Sequence, residues 1–233
     1  MHPKTLDHVA YWVADRDSLV EFATAHLGMH VIDRTDRFSL VGSDARRGKL
    51  TFFDAQGPRE RGAIKHVALR VSDLAEALGR LPEGTQLELP GDGGAYFDVG
   101  EGVRLGLVEA PTDVEYDLDH AALYAADPEE AARVYAKLGF DPAEPGRSGV
   151  PRVEVGGAFV ELHPGDPGDP ERPLLNHLAV LVDSADEHLD EAQNTGVEVD
   201  DVVDAPNTYA VFLRGPDRVR VEYVEHKPTF SLN

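Results

Sequence analysis

One strand-like phrase occurs four times along the chain. "TLDHVAYWVAD" from Thr5, "AIKHVALRVSD" from Ala63, "DLDHAALYAAD" from Asp117 and "LLNHLAVLVDS" from Leu174 each place a histidine ahead of an apolar run. His8, His66, His120 and His177 fall in register at intervals of 58, 54 and 57 residues. A period of this length constrains the architecture more than any local propensity does, because each repeat must be one supersecondary unit.

The residues after each phrase complete the unit. The four runs end at Asp15, Asp73, Asp127 and Asp183, whose carboxylates can accept the free N–H groups of a first helical turn. "SLVEFATAHLG", "PEEAARVYAKLG" and "ADEHLDEAQNTG" then space apolar residues three and four apart and stop at Gly28, Gly139 and Gly196. "LAEALGRLPEG" in the second copy is a shorter, weaker helix. Three short strands separated by Gly and Pro turns follow, in the third copy "GFDP", "PRVEVG" and "AFVELHP". The predicted unit is βαβββ, an α+β arrangement. The polar, Pro-containing stretch Glu109 to Asp117 predicts a boundary between an amino-terminal domain, 1–112, and a carboxy-terminal domain, 113–233.

Composition narrows the function classes. With 233 residues, 42% of them hydrophobic, the chain can bury a real core. A formal charge of -21 repels phosphate backbones, so no nucleic-acid partner is expected. No apolar run approaches the roughly 20 residues of a membrane helix, and "MHPKTLDHV" lacks the layout of a signal peptide, which points to a cytoplasmic protein with no membrane partner. There is no cysteine, so any metal must sit on His, Asp or Glu.

Four βαβββ units that each open on a histidine strand resemble the vicinal oxygen chelate superfamily, which includes glyoxalase I, extradiol dioxygenases and bleomycin and fosfomycin resistance proteins. The resemblance covers nearly the whole chain. It implies paired units whose curved mixed sheets form a cup around a divalent ion, with ligands from the first and last strand of each unit. Reading the matching slots in the carboxy-terminal half yields His120, Glu161 ("VEL"), His177 and Glu222 ("VEY") as metal ligands. Glu161 and Glu222 are also the candidate catalytic bases. Each lies between apolar neighbours, so period-two geometry turns its carboxylate away from the hydrocarbon, and facing carboxylates favour a cation between them.

In the amino-terminal half the corresponding slots read His8, Phe52, His66 and Gly106, without an acid, and this half is expected to be structural. Tyr124, Tyr209, Phe212 and Arg220 are the candidate substrate-binding residues. His163 is expected in a solvated loop, and His26, His30, His188 and His226 are expected to be solvated.

Two imidazoles and two carboxylates suit Fe2+, Ni2+, Mn2+, Co2+ or Zn2+, with room for a small substrate that chelates through adjacent oxygens. The His/Glu/His/Glu order is similar to that of glyoxalase I and implies lyase or isomerase chemistry, the reading favoured here over the alternatives that follow. The two-domain layout and "GPDRVRVE" resemble extradiol dioxygenases, whose 2-His-1-carboxylate iron site would fall on His120, His177 and Glu222. A resistance-type binding protein would use the same cup without turnover. The layout is compatible with a monomer or a homodimer.

Overall fold

The structure, a computed structural model, describes residues 1–91 and 93–230. The first unit is β1 (Thr5–Val13), α1 (Arg16–His26), β2 (His30–Arg34), β3 (Phe38–Asp44) and β4 (Arg47–Asp54). The second is β5 (Ile64–Val71), α2 (Leu74–Gly79), β6 (Gly94–Gly100) and β7 (Val103–Glu109). β8 (Asp117–Ala125), α3 (Pro128–Lys137), β9 (Asp141–Ala143), β10 (Arg152–Val155) and β11 (Ala158–Pro164) form the third. β12 (Leu175–Leu181), α4 (Ala185–Thr195), β13 (Val199–Asp204), β14 (Thr208–Arg214) and β15 (Arg220–His226) form the fourth. Among the described residues the second unit has one strand fewer than expected, and an isolated bridge between Glu88 and Tyr96 marks its place.

Helix starts follow the capping chemistry. The carboxylates of Asp15, Asp73 and Asp127 accept from the backbone N–H of Ser18, Glu76 and Glu130. In the fourth unit the cap is Ser184, whose hydroxyl accepts from the N–H of Glu187. Asp183, the expected cap, instead pairs with Lys4.

The units pair crosswise. An eight-stranded sheet runs β13-β14-β15-β12-β1-β4-β3-β2, so it joins the fourth unit to the first. A seven-stranded sheet runs β6-β7-β5-β8-β11-β10-β9 and joins the second to the third. Both sheets are curved and open, giving two glyoxalase-like halves of an α+β fold. The expectation that units three and four share a cup is therefore corrected. β1 gives one edge to β4 of its own unit, and its other edge pairs antiparallel with β12 rather than with β5. Either partner would satisfy that edge, and the nested order 1-4 around 2-3 is the one adopted. Residues 110–116, expected to form a domain boundary, connect β7 to β8 within one sheet.

Alternation along the strands fixes what each face does. Val9 and Tyr11 of β1, Leu50 and Phe52 of β4, Val67 and Leu69 of β5 and Leu178 and Val180 of β12 belong to one buried apolar cluster fed by both sheets and the helices. Tyr223 of β15 adds a polar tie within that core, its hydroxyl donating to the Leu138 carbonyl at 2.6 Å. The core occupies one face of each sheet, so the opposite, concave face is left for chemistry.

Candidate metal centre

Each of the four histidines is preceded by a β-bulge. In the β1–β12 ladder Asp7 and Asn176 have no partner, and in the β5–β8 ladder Lys65 and Asp119 have none. A bulge puts two residues opposite one and re-aims the side chains. On a regular strand the residue before a histidine would point to the other face; before His8, His120 and His177 it reaches the ring instead, whereas Lys65 turns to His163. Asp7 Oδ1 lies 2.7 Å from His8 Nδ1, Asn176 Oδ1 3.0 Å from His177 Nδ1, and Asp119 Oδ1 2.7 Å from His120 Nδ1. These acceptors hold the proton on Nδ1 and turn Nε2 into the cup, the usual support for a metal-binding imidazole.

In the eight-stranded sheet the turned nitrogens meet a carboxylate. His8 Nε2 and His177 Nε2 are 3.0 Å apart, and Glu222 Oε2 is 3.2 Å from the first and 2.9 Å from the second. An octahedral ion with bonds of about 2.1 Å needs neighbouring ligand atoms about 3.0 Å apart, whereas a tetrahedral one needs about 3.4 Å. The triangle fits one face of the octahedron. Glu222 Oε2 is buried and receives no aligned hydrogen bond despite these short approaches, while the two Nε2 atoms lie within hydrogen-bond distance of each other. Among the described residues this is the trio of His and acid side chains that could hold a metal ion.

The electrostatics show how the trio stands without an ion. Burial pulls His8 down, but the carboxylates of Asp7 and Glu222 outweigh it, and His8 is pushed up to about 9. Burial opposes ionisation of Glu222 too, yet His177 and His8 hold it far below the ordinary carboxylate range. Desolvation lowers His177, with Glu222 opposing. Asp7, 1% exposed, is kept ionised against its burial by Lys49, whose Nζ is 2.8 Å away, and by His226 and His8. Lys49 is itself fully buried and also donates to the Ala45 carbonyl.

The trio lies in a cavity of about 670 Å³. Its wall follows the strand period: Thr51 and Phe53 from β4, Phe38 and Leu40 from β3, Ala210 and Phe212 from β14, Arg220 and His226 from β15. Phe53 and Phe212 stand edge-on to His177, with ring centroids 6.0 and 5.2 Å from it. Arg220 lies over Phe212, pairs with Asp200 at 2.6 Å and donates to Asn176 Oδ1 at 3.3 Å, so it braces the residue that orients His177.

The sequence-predicted residues are redistributed accordingly. His177, Glu222, Phe212 and Arg220 come together, joined by His8 from the half expected to be structural. His120 and Glu161 belong to the other sheet and lie outside this centre. Tyr124 lines the second cup, and Tyr209 faces the core with its hydroxyl toward Asp186. Tyr209 and Phe212 differ by an odd number of residues, so one straight strand cannot aim both into one cavity. The fourth ligand slot is also one residue from its expected place. Glu222 is level with Ala179, two residues past His177, and Thr51 is level with Ala10, two residues past His8. Thr51 therefore matches Glu222, while Phe52 is in the core. Thr51, Asp7 and Phe53 are the residues that sequence reasoning misses; the alternation Lys49-Thr51-Phe53 against Leu50-Phe52 is the signal that could find them.

The second cup keeps the plan without the convergence. His66 Nε2 and His120 Nε2 are 3.1 Å apart, and Asp119 is held by Arg70 at 3.0 Å. Burial and the surrounding cations drive His66 down to about 2. Glu161, level with Ala122, occupies the slot equivalent to Glu222, but its carboxylate turns to Ser148 at 3.0 Å and His163 at 3.3 Å. The slot equivalent to Thr51 is Gly106, and the Tyr96 ring fills the space: a β-carbon on Gly106 would come within 2.6 Å of it. His163 is half-buried in β11 rather than in a loop. His188 is buried, accepts from the His2 N–H and bonds the Ser184 carbonyl, and His226 stacks on Phe230 at 3.9 Å, so neither is solvated.

A sequence-family model described as the Glyoxalase/Bleomycin resistance protein/Dioxygenase superfamily matches residues 5–89 and 117–223. Solved structures share the fold over almost the full chain. A protein of Bacillus subtilis subsp. subtilis str. 168 described as a candidate dioxygenase is 18% identical, with 98% of this chain and 87% of that one aligned at a TM-score of 0.82. Glyoxalase I from Zea mays is 17% identical over 95% of this chain and 92% of its own, at 0.76. The cppA protein of Streptococcus pneumoniae TIGR4 is 14% identical over 97% and 100%, at 0.61. Among curated protein sequences none matches at a significant level.

Proposed function

The chain belongs to the Glyoxalase/Bleomycin resistance protein/Dioxygenase superfamily, and from that premise we propose that it is a metal-dependent enzyme whose ion, held by His8, His177 and Glu222, receives two adjacent oxygens of a small aromatic substrate. Oxidative ring cleavage of a catechol-type compound is the reaction this arrangement supports best. The observation that carries the reading is the triangle of Nε2, Nε2 and Oε2 atoms with edges of 2.9 to 3.2 Å. A facial set of two histidines and one carboxylate is the ligand pattern of non-haem ferrous oxygenases. Such an ion would supply adjacent open positions and electron exchange with dioxygen.

The chain's own residues do the rest. Asp7 and Asn176 keep the Nδ1 protons in place, so both Nε2 atoms stay directed into the cup, where an ion would displace the proton that His8 carries there. Glu222 contributes the trio's single negative charge. Phe38, Leu40, Phe53 and Phe212 line the cavity with apolar surface that accommodates a flat ring. Glyoxalase-like proton transfer is the second reading, favoured by the shared fold with glyoxalase I. Thr51 in the slot of the second glutamate counts against it, because that chemistry rests on a four-ligand set with a spare acid.

Protein purified without chelator is assayed for bound metal, then for oxygen uptake with a panel of catechols and for solvent proton exchange with 2-oxoaldehydes and hydroxyketones. Oxygen uptake that disappears in His8→Ala supports ring cleavage. Exchange without oxygen uptake replaces it with the isomerase reading, and neither activity in metal-loaded protein removes both.

A further inference from the structure

The slot that Thr51 occupies has a consequence for what binds opposite Glu222. Thr51 is 3% exposed, lines the cavity with the ligand trio, and its Oγ1 has no hydrogen-bond partner. Leaving a buried hydroxyl unpaired is unfavourable, and of the hydroxyls in that state among the described residues, Tyr11, Ser39, Ser43, Thr51, Tyr116 and Tyr135, Thr51 is the one that lines this cavity. Its two neighbours on the same face are committed: Lys49 to Asp7 and Phe53 to the edge of His177. The strand registers make Thr51 the counterpart of Glu222, one on each side of the cup. A glutamate carboxylate reaches about 2 Å farther from its β-carbon than a threonine hydroxyl does, a shortfall close to one O–H···O hydrogen bond of about 2.7 Å.

Resting on the metal reading above, we propose that Thr51 is a positioning residue: its hydroxyl hydrogen-bonds an oxygen of water or of the chelating substrate that occupies the fourth ligand position, which no protein carboxylate fills. The cup then has a position for an exchangeable oxygen where a four-ligand cup would have a glutamate. Thr51 selects for ligands that present an oxygen there and leaves the charge of the trio unchanged.

The test uses the full-length protein loaded with Mn2+, followed by water-proton relaxation, with 4-nitrocatechol added anaerobically as a coloured chelating probe. Thr51→Glu should place a carboxylate at the fourth position, tightening Mn2+ binding about tenfold or more and removing one exchangeable water from the relaxation signal. Thr51→Val, nearly the same shape, should leave Mn2+ affinity within about twofold and weaken 4-nitrocatechol five- to tenfold, about the effect of one hydrogen bond. Unchanged Mn2+ affinity and water signal in Thr51→Glu, or unchanged probe binding in Thr51→Val, overturns the role of Thr51 while leaving the trio intact. Wild-type protein that takes up no Mn2+ overturns the metal reading and this inference together.

Discussion

If the proposed ion binds His8 Nε2, its uptake and the protonation of His8 compete for the same nitrogen, and the competition can be measured. In the metal-free protein His8 is pushed up to about 9 by Asp7 and Glu222, so at pH 7 its imidazole is almost fully charged. An ion must displace that proton to reach Nε2. Near pH 7, binding should therefore release close to one proton, and the logarithm of the apparent affinity should rise by about one per pH unit until it flattens around pH 9. From pH 9 down to pH 7 that is about a hundredfold loss of affinity, or roughly 2.7 kcal/mol. The same shift governs metal-free stability. A histidine whose folded value lies above its unfolded value of about 6.5 contributes stability that is fully present below 6.5 and lost as pH rises through the folded value. For His8 the ceiling is about 3 kcal/mol between pH 6.5 and 9. Asp7 and Glu222, held far below the carboxylate range, stay ionised throughout this window and do not offset it. Isothermal titration with Co2+ in buffers of different ionisation enthalpy yields the proton count, and thermal unfolding of metal-free wild type against His8→Gln isolates the stability term. Zero proton release at pH 7, or a wild-type curve that runs parallel to the variant's from pH 6.5 to 9, would refute the assignment of His8 as a ligand held in a carboxylate clamp.

Asp7→Asn should weaken metal binding about 10- to 100-fold by loosening the His8 ring, and should cost about 3–5 kcal/mol in unfolding free energy because Lys49 loses its buried counter-charge; metal titration and denaturant melts read the two effects. His66→Ala should retain the full metal content of wild type, since His66 is in the other cup, while His177→Ala should retain none, both measured by elemental analysis. Gly106→Ala drives a β-carbon into the Tyr96 ring and should lower unfolding stability by about 1–3 kcal/mol with no change in metal affinity.

Local chemistry is readable where one residue type serves one local need. The in-register histidines, the Asp caps of the first three helices and the period-two placement of Glu222 all follow from spacing alone, and each corresponds to an observed bond or face. Partner choice between distant strands has no such signature. β1 carries the same alternation whether its free edge meets β5 or β12, so spacing puts His8 in a structural half although it completes the trio. The bulges are equally hidden, because "LDH" and "LNH" read as uninterrupted alternation until the ladder shows which residue lacks a partner. "LTFFD" blurs the pattern with two adjacent aromatics, and a slip of one residue exchanges Phe52 for Thr51.

Crosswise pairing makes a further demand that ordinary domain duplication does not. His8 lies in the first 112 residues, and His177 and Glu222 in the remainder, so a cut in the link at residues 110–116 separates the members of the trio. It also separates β1 from β12 and β5 from β8, the central antiparallel pairs of the two sheets. Each fragment would keep its own parallel pairs but would expose a row of unpaired N–H and C=O groups along two long strands, which favours association. Expressed separately, residues 1–112 and 113–233 should bind no metal above background. Mixed in equal amounts, they should assemble into a one-to-one complex and recover the wild-type metal content, as read by size-exclusion chromatography with elemental analysis. Full metal binding by the 113–233 fragment alone would place the ion on His120, Glu161, His177 and Glu222 after all, and would contradict the pairing of β1 with β12.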